Sequence, residues 1–129
     1  MRYATCVRIY VSIYSCVTEK PVAWLGSSLV DVRAFPKVAR ERLGYALDRL
    51  QRGLEPPDWK PMPSVGSGVR EIRVQVGRQF RVLYVTRFAE AIYVLHAFEK
   101  KTQKTAPADL ERARKRLATI RRSPSEERR

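Results

Sequence analysis

The sequence predicts an α+β domain: a small antiparallel β-sheet of three to four strands, N-terminal helices packed on one face, and a C-terminal helix. Three observations predict it. Three segments rich in β-branched and aromatic residues, 69–76, 79–86 and 90–98, follow one another with only short turns between them. Apolar residues recur at helical spacing before them, at Val38, Ala39, Leu43, Ala46, Leu47 and Leu50, and after them, at Leu110, Ala113, Leu117 and Ile120. Consecutive strands flanked by helices, rather than strands alternating with helices, are the order of an α+β fold.

The elements follow in turn. Residues 1–20 stand apart as an N-terminal extension. Its stretch 7–17 is apolar, with Arg2 before it, but Arg8, Ser12 and Ser15 interrupt it and no small-residue cleavage site follows, so it is not read as a secretion signal. Residues 22–25 form a candidate edge strand. Ser27 and Ser28 open a short helix to Phe35, and Pro36 favours a fresh helix start for 36–52. Gly53 suits the position just past that helix. Segment 55–68 holds Pro56, Pro57, Pro61, Pro63, Gly66 and Gly68 and reads as a loop. The last helix spans 107–120, with Asp109 and Glu111 suiting the positive end of its dipole. The domain proper is 21–120, and 121–129 (RRSPSEERR) reads as a disordered basic tail.

Charge then narrows the function. Lys and Arg number 26 against 13 Asp and Glu, a net charge of +13 that a 129-residue chain carries at the cost of self-repulsion. A polyanion or an acidic partner relieves it; a small-molecule enzyme with a balanced surface does not need it. Net +6 of that excess lies in residues 99–129. No apolar run approaches the roughly 20 residues of a membrane helix, so no membrane partner is expected. Cys6 and Cys16 are too few for a disulfide scaffold or a metal site, and reduced thiols in the cytoplasm are expected. No metal and no cofactor is expected: there is one histidine, and Glu71, Glu90 and Glu99 form no ligand cluster.

Register picks out one face. A three-residue loop centred on Gly77 sets Ile72 opposite Val82 and Val74 opposite Phe80, whereas a two-residue loop mixes apolar and charged residues on both faces. The favoured register puts Arg73 directly opposite Arg81. An even loop at the next turn sets Tyr84 opposite Tyr93, Val82 opposite Leu95, and Arg81 opposite His96. The expected result is a row, Arg73, Arg81, His96, on an open face. Like charges directly opposite are unfavourable, so an anion is the natural reason to keep them. The plain alternative is a solvated face with Glu71, a diagonal neighbour, paired to Arg81. Just beyond lie Lys100, Lys101 and Lys104, candidates for phosphate binding beside a helix N-terminus, and Phe98, an aromatic available for base stacking.

Residues 58–73 (DWKPMPSVGSGVREIR), 80–84 (FRVLY) and 96–105 (HAFEKKTQKT) resemble the RelE/ParE superfamily of type II toxins, and most closely its HigB-like, phage-derived branch. The resemblance covers about 21–120. It implies a toxin held by a co-expressed antitoxin, usually a helix-turn-helix protein in that branch, and cleavage of mRNA in the ribosomal A site. It also implies a functional role for Arg81 and for Lys100, Lys101 and Lys104. The tyrosine that the superfamily often carries near its last helix is missing here: none follows Tyr93.

The resulting expectation is a ribosome-dependent endoribonuclease. The 2′-hydroxyl attacks the adjacent phosphate, Arg81 and Arg73 hold its oxygens, His96 moves a proton, and the lysines position the backbone. Two other readings stay open. One is a ParE-like inhibitor of DNA gyrase without nuclease activity, and the other a non-catalytic nucleic-acid-binding module. Because Arg81 is placed on an open face, its loss is expected to abolish activity and leave the fold intact.

Overall fold

In a computed structural model, residues 20–121 are described; the expectations for 1–20 as an extension and for 121–129 as a tail, and both cysteines, lie essentially outside that range. Strand β1 (Val22–Trp24) is followed by helices α1 (Ser28–Arg33) and α2 (Lys37–Gln51). Four strands come next: β2 (Trp59–Pro61), β3 (Val69–Gln75), β4 (Gln79–Val85) and β5 (Ile92–Lys100). Helix α3 (Pro107–Arg121) closes the domain. The sheet order is β1-β5-β4-β3-β2, antiparallel throughout except that β1 runs parallel to β5. No helix among the described residues is long and apolar enough to cross a membrane.

The fold class is as the sequence predicts, with one strand more. The added strand, β2, lies inside the stretch read as a loop. Its prolines hid it: Pro61 cannot donate to a ladder, but β2 is an edge strand where one side needs no partner. Trp59, Lys60 and Pro61 pair with Ile72, Glu71 and Arg70.

Each face of the sheet buries its own cluster. Helices α1 and α2 cover one face, where Val32, Phe35, Ala39, Leu43, Ala46 and Leu47 meet Ile72, Val74, Phe80, Val82, Tyr84 and Val94. The C-terminal end of α2 is closed by Gly53 at φ 82°, with Gly53 N donating to Leu50 O and Leu54 N to Arg49 O, so the orphan carbonyls of the last turn are satisfied. Helix α3 covers part of the other face, where Ala113, Leu117 and Ile120 meet Leu83, Val85, Leu95 and Phe98. Met62 and Val65, in the turn after β2, join this second cluster.

The register of β3 on β4 matches the apolar pattern: Ile72 faces Val82, Val74 faces Phe80, and Arg73 faces Arg81 across the three-residue turn at Gly77, whose φ is 81°. The expected register of β4 on β5 does not hold. Tyr84 pairs with Val94 and Leu83 with His96, so Leu95 is an extra residue in a bulge. From there on, Val82 faces Ala97 and Arg81 faces Phe98. The bulge lets Leu95 and His96 both serve the α3 side, Leu95 in its apolar cluster and His96 in a polar contact with α3. Tyr93 likewise packs on the α3 side, edge-on to Phe88 at 5.5 Å, instead of beside Tyr84.

Candidate functional site

Rows across the α3-side face now define the site. One row is Lys60, Glu71, Leu83, His96; the next is Arg73, Arg81, Phe98; the third is Gln75, Gln79, Lys100. His96 thus shares the face with Arg81 but stands one row along, and Phe98 takes the place expected for it.

Arg81 is not on an open face. It is 5% exposed, and on the same face Leu83 and Phe98 are buried in the cluster that α3 and the 62–65 turn form. Its Nε lies 3.7 Å from Oε1 of Glu71, which is fully buried. Its Nη2 donates to Gln79 Oε1 at 2.7 Å and its Nη1 to the Phe80 carbonyl at 3.2 Å. The pairing with Glu71, offered by the sequence as the plain alternative, is therefore present. Arg73 is more open and pairs with Asp58 at 3.5 Å.

The cluster is under-satisfied. Among the described residues six buried side-chain polar atoms have no hydrogen-bond partner, and four of them are here: both carboxylate oxygens of Glu71, and the Nε atoms of Arg73 and Arg81. Buried polar groups are normally paired, so an unpaired group concentrated in one place marks a strained or ligand-binding site. Lys100 extends the positive field: burial pushes its pKa down first, and the nearby charges of Arg81, Lys60 and Arg73 add to that against the pull of Glu71. Burial also lowers the pKa of Arg81, which remains a cation.

Residues 30–118 match the family described as Phage derived protein Gp49-like (DUF891). The chain belongs to that family. The Gp49-like family is one of RelE/HigB-type toxins associated with toxin–antitoxin systems. No curated protein matches the chain.

The remaining predicted residues of this Gp49-like chain fall into two groups. His96 is 2% exposed; its Nε2 contacts Asp109 Oδ1 at 2.7 Å, and its Nδ1 lies 3.5 Å from Arg116 Nη1. Arg116 also donates to the Leu95 carbonyl at 2.8 Å, so this knot ties α3 to the bulge. Phe98 stacks on His96, with ring centroids 5.1 Å apart and planes at 20°, and is buried under α3. Its ring is engaged inside the protein. Lys101 and Lys104 are exposed in the loop after β5, where Thr102 Oγ1 donates to the Lys104 carbonyl.

Two cavities border the cluster. A cleft of about 570 Å³ runs between α2 and β3, lined in part by Arg42, Tyr45, Ala46 and Val74, and meets the site's rows through Asp58, Arg73 and Gln75. A second, of about 460 Å³, is lined by Gln79, Lys100, Lys101, Thr102 and Gln103 and contains no acidic side chain. Among the described residues no group of three His, Cys, Asp or Glu side chains is placed to hold a metal ion.

Sequence reasoning missed Lys60, Gln79 and Asp109. Lys60 was hidden in the proline-rich stretch. Asp109 was visible as an acidic residue in the first turn of α3, but its partner, His96, becomes evident only once the bulge is known.

Proposed function

We propose that this chain is the toxin of a type II toxin–antitoxin pair, of the HigB-like kind, and that it cleaves ribosome-bound mRNA. One observation carries the reading: Arg73 and Arg81 stand opposite each other, flanked by Lys60 and Lys100, with Glu71 buried among them and its oxygens unsatisfied. Opposed cations cost stability in the free protein and gain it back on a phosphate, whose charge grows in the phosphorane-like transition state.

In this reading the 2′-hydroxyl gives its proton to solvent water as its oxygen attacks the neighbouring phosphorus, a 2′,3′-cyclic phosphate forms, and the bond to the 5′-oxygen breaks. Arg73, the more exposed of the pair, meets the non-bridging oxygens. Arg81, fixed by Glu71, Gln79 and the Phe80 carbonyl, supplies a preorganised positive charge behind it. Lys100 has a lowered pKa and is assigned the proton donor to the leaving 5′-oxygen. Lys60, Lys101 and Lys104 hold the backbone electrostatically. His96, buried and bonded on the α3 side, is a positioning residue for β5 and Phe98. This chemistry requires no metal ion or cofactor. The antitoxin, expected to be an acidic helix-turn-helix protein, relieves the +13 charge by covering this face, and the pair acts in the cytoplasm. The domain is residues 21–120, with 1–20 and 121–129 as appendages.

Pulse labelling in cells tests the reading against gyrase inhibition. A nuclease stops incorporation of amino acids first; a gyrase inhibitor stops thymidine incorporation first and induces DNA damage. The second result overturns the proposal.

A further inference from the structure

The proposed chemistry draws on the pocket beyond Arg81 only at its rim, through Lys100 as proton donor and the general positive field of Lys101, and leaves its interior without a role. The pocket lies one row along β4 and β5 from the Arg73–Arg81 pair, because Gln79 pairs with Lys100 two residues from the Arg81–Phe98 pair. Two strand residues span roughly 6.8 Å, close to the step between successive phosphates of an extended single strand. Lys100, Lys101, Thr102, Gln103 and Gln79 line it, with no carboxylate among them. Two acids act on its lining: Glu71 on Lys100, buried and paired to Arg81, and Glu99 on Lys101, held by Arg78 in a two-bond pair at 2.8 and 2.9 Å. Gln79 spans both places: its amide oxygen accepts from Arg81, which turns its amide NH₂, a pure donor, away from the guanidinium.

We infer that this pocket is a second phosphate subsite, which holds the phosphodiester next to the scissile one. The inference rests on the nuclease reading and deepens it: the substrate is single-stranded RNA presenting two consecutive phosphates, and a dinucleotide is too short to fill the face. A base-paired strand does not fit as well, because A-form pairing curls successive phosphates around the helix rather than along a strand direction.

The test uses the full chain and two probes, a 2′-O-methyl uridine dinucleotide with one phosphate and the trinucleotide with two; methylation blocks attack. Binding is followed by ¹H–¹⁵N NMR at the Arg73 side chain and at the backbone amides of residues 101–103. The trinucleotide is expected to move both sets of signals. Its affinity is expected to fall with salt more steeply than the dinucleotide's by about 0.7 in log–log slope, which is roughly 2.6-fold between 50 and 200 mM. In the double variant Lys101→Ala, Gln103→Ala that extra slope should vanish. Survival of the increment in the variant, or movement of the Arg73 signal alone, overturns the subsite. Equal movement of the 101–103 amides by triglutamate also overturns it, since the pocket then takes carboxylates of a protein partner. Cleavage of ribosome-bound mRNA is measured on the same preparations. Intact mRNA with the increment present refutes the nuclease reading alone; cleaved mRNA with the increment absent refutes the subsite alone.

Discussion

Replacing Arg81 with alanine should unfold much of the protein's margin of stability before it says anything about catalysis. Arg81 is 5% exposed and Glu71 fully buried, with 3.7 Å between their charged atoms. Removing the guanidinium strands a carboxylate that has no hydrogen-bond donor of its own. Breaking a buried pair in this way costs about 3–5 kcal/mol, a large share of the roughly 5–15 kcal/mol that holds a domain together. With about 4–8 °C lost per kcal/mol in a small domain, the melting temperature should fall by roughly 12 °C or more. The assay is urea and thermal denaturation followed by circular dichroism, on Arg81→Ala, Glu71→Gln and the double variant. The double variant should be more stable than Arg81→Ala alone, because the stranded charge is gone. A loss of under about 0.5 kcal/mol in Arg81→Ala, the limit of an ordinary surface change, with additive effects in the double variant, would refute the buried-pair argument. The open-face expectation would then be restored.

Other outcomes follow from the same geometry. Arg73→Ala, at a part-exposed side chain paired with Asp58 at 3.5 Å, should keep the fold to within about 1 kcal/mol and lose mRNA cleavage by at least about 10²-fold, read by primer extension on ribosome-bound message. Asp109→Ala should cost about 1–3 kcal/mol by leaving the buried His96 nitrogen unpaired, and His96→Phe in that background should recover part of it, both by denaturation. Burial pushes the Tyr84 phenol up to about 12, with Arg70 beside it pulling the other way. A raised phenol favours the protonated folded state, so stability is full below about pH 10, the unfolded value, and falls as pH rises through about 12; Tyr84→Phe should abolish that loss. Inorganic phosphate should raise the melting temperature of the wild type in proportion to the logarithm of its concentration, and do so less in Arg73→Ala.

How much of this was legible depended on whether the pattern had one solution. The β3–β4 register did: only the three-residue turn at Gly77 aligns Ile72 with Val82 and Val74 with Phe80, and Arg73 opposite Arg81 came with it. The β4–β5 register had two. Tyr93, Val94 and Leu95 are all apolar, so alternation there survives a shift, and nothing in a single sequence marks Leu95 as the bulged residue. That one residue moved His96 out of the arginine row. Burial of Arg81 was also beyond reach, since the strand pattern presents its face as open and does not show that α3 and Met62–Val65 fold onto that side of the sheet. Glu71 was in view because a diagonal pair needs only the register. Lys60 was not, because prolines at 57, 61 and 63 argue for a loop and an edge strand escapes that rule.

The central claim is that the Arg73–Arg81 face breaks an RNA phosphodiester on the ribosome. A reconstituted translation reaction with purified components tests it most directly. Wild-type protein is added to ribosomes paused on a 5′-labelled message, and the product ends are mapped. New ends at the ribosomal A site that terminate in a 2′,3′-cyclic phosphate, formed by wild type and not by folded Arg73→Ala, are the expected result. An intact message under the same conditions, with the same protein blocking supercoiling by purified DNA gyrase, would contradict it.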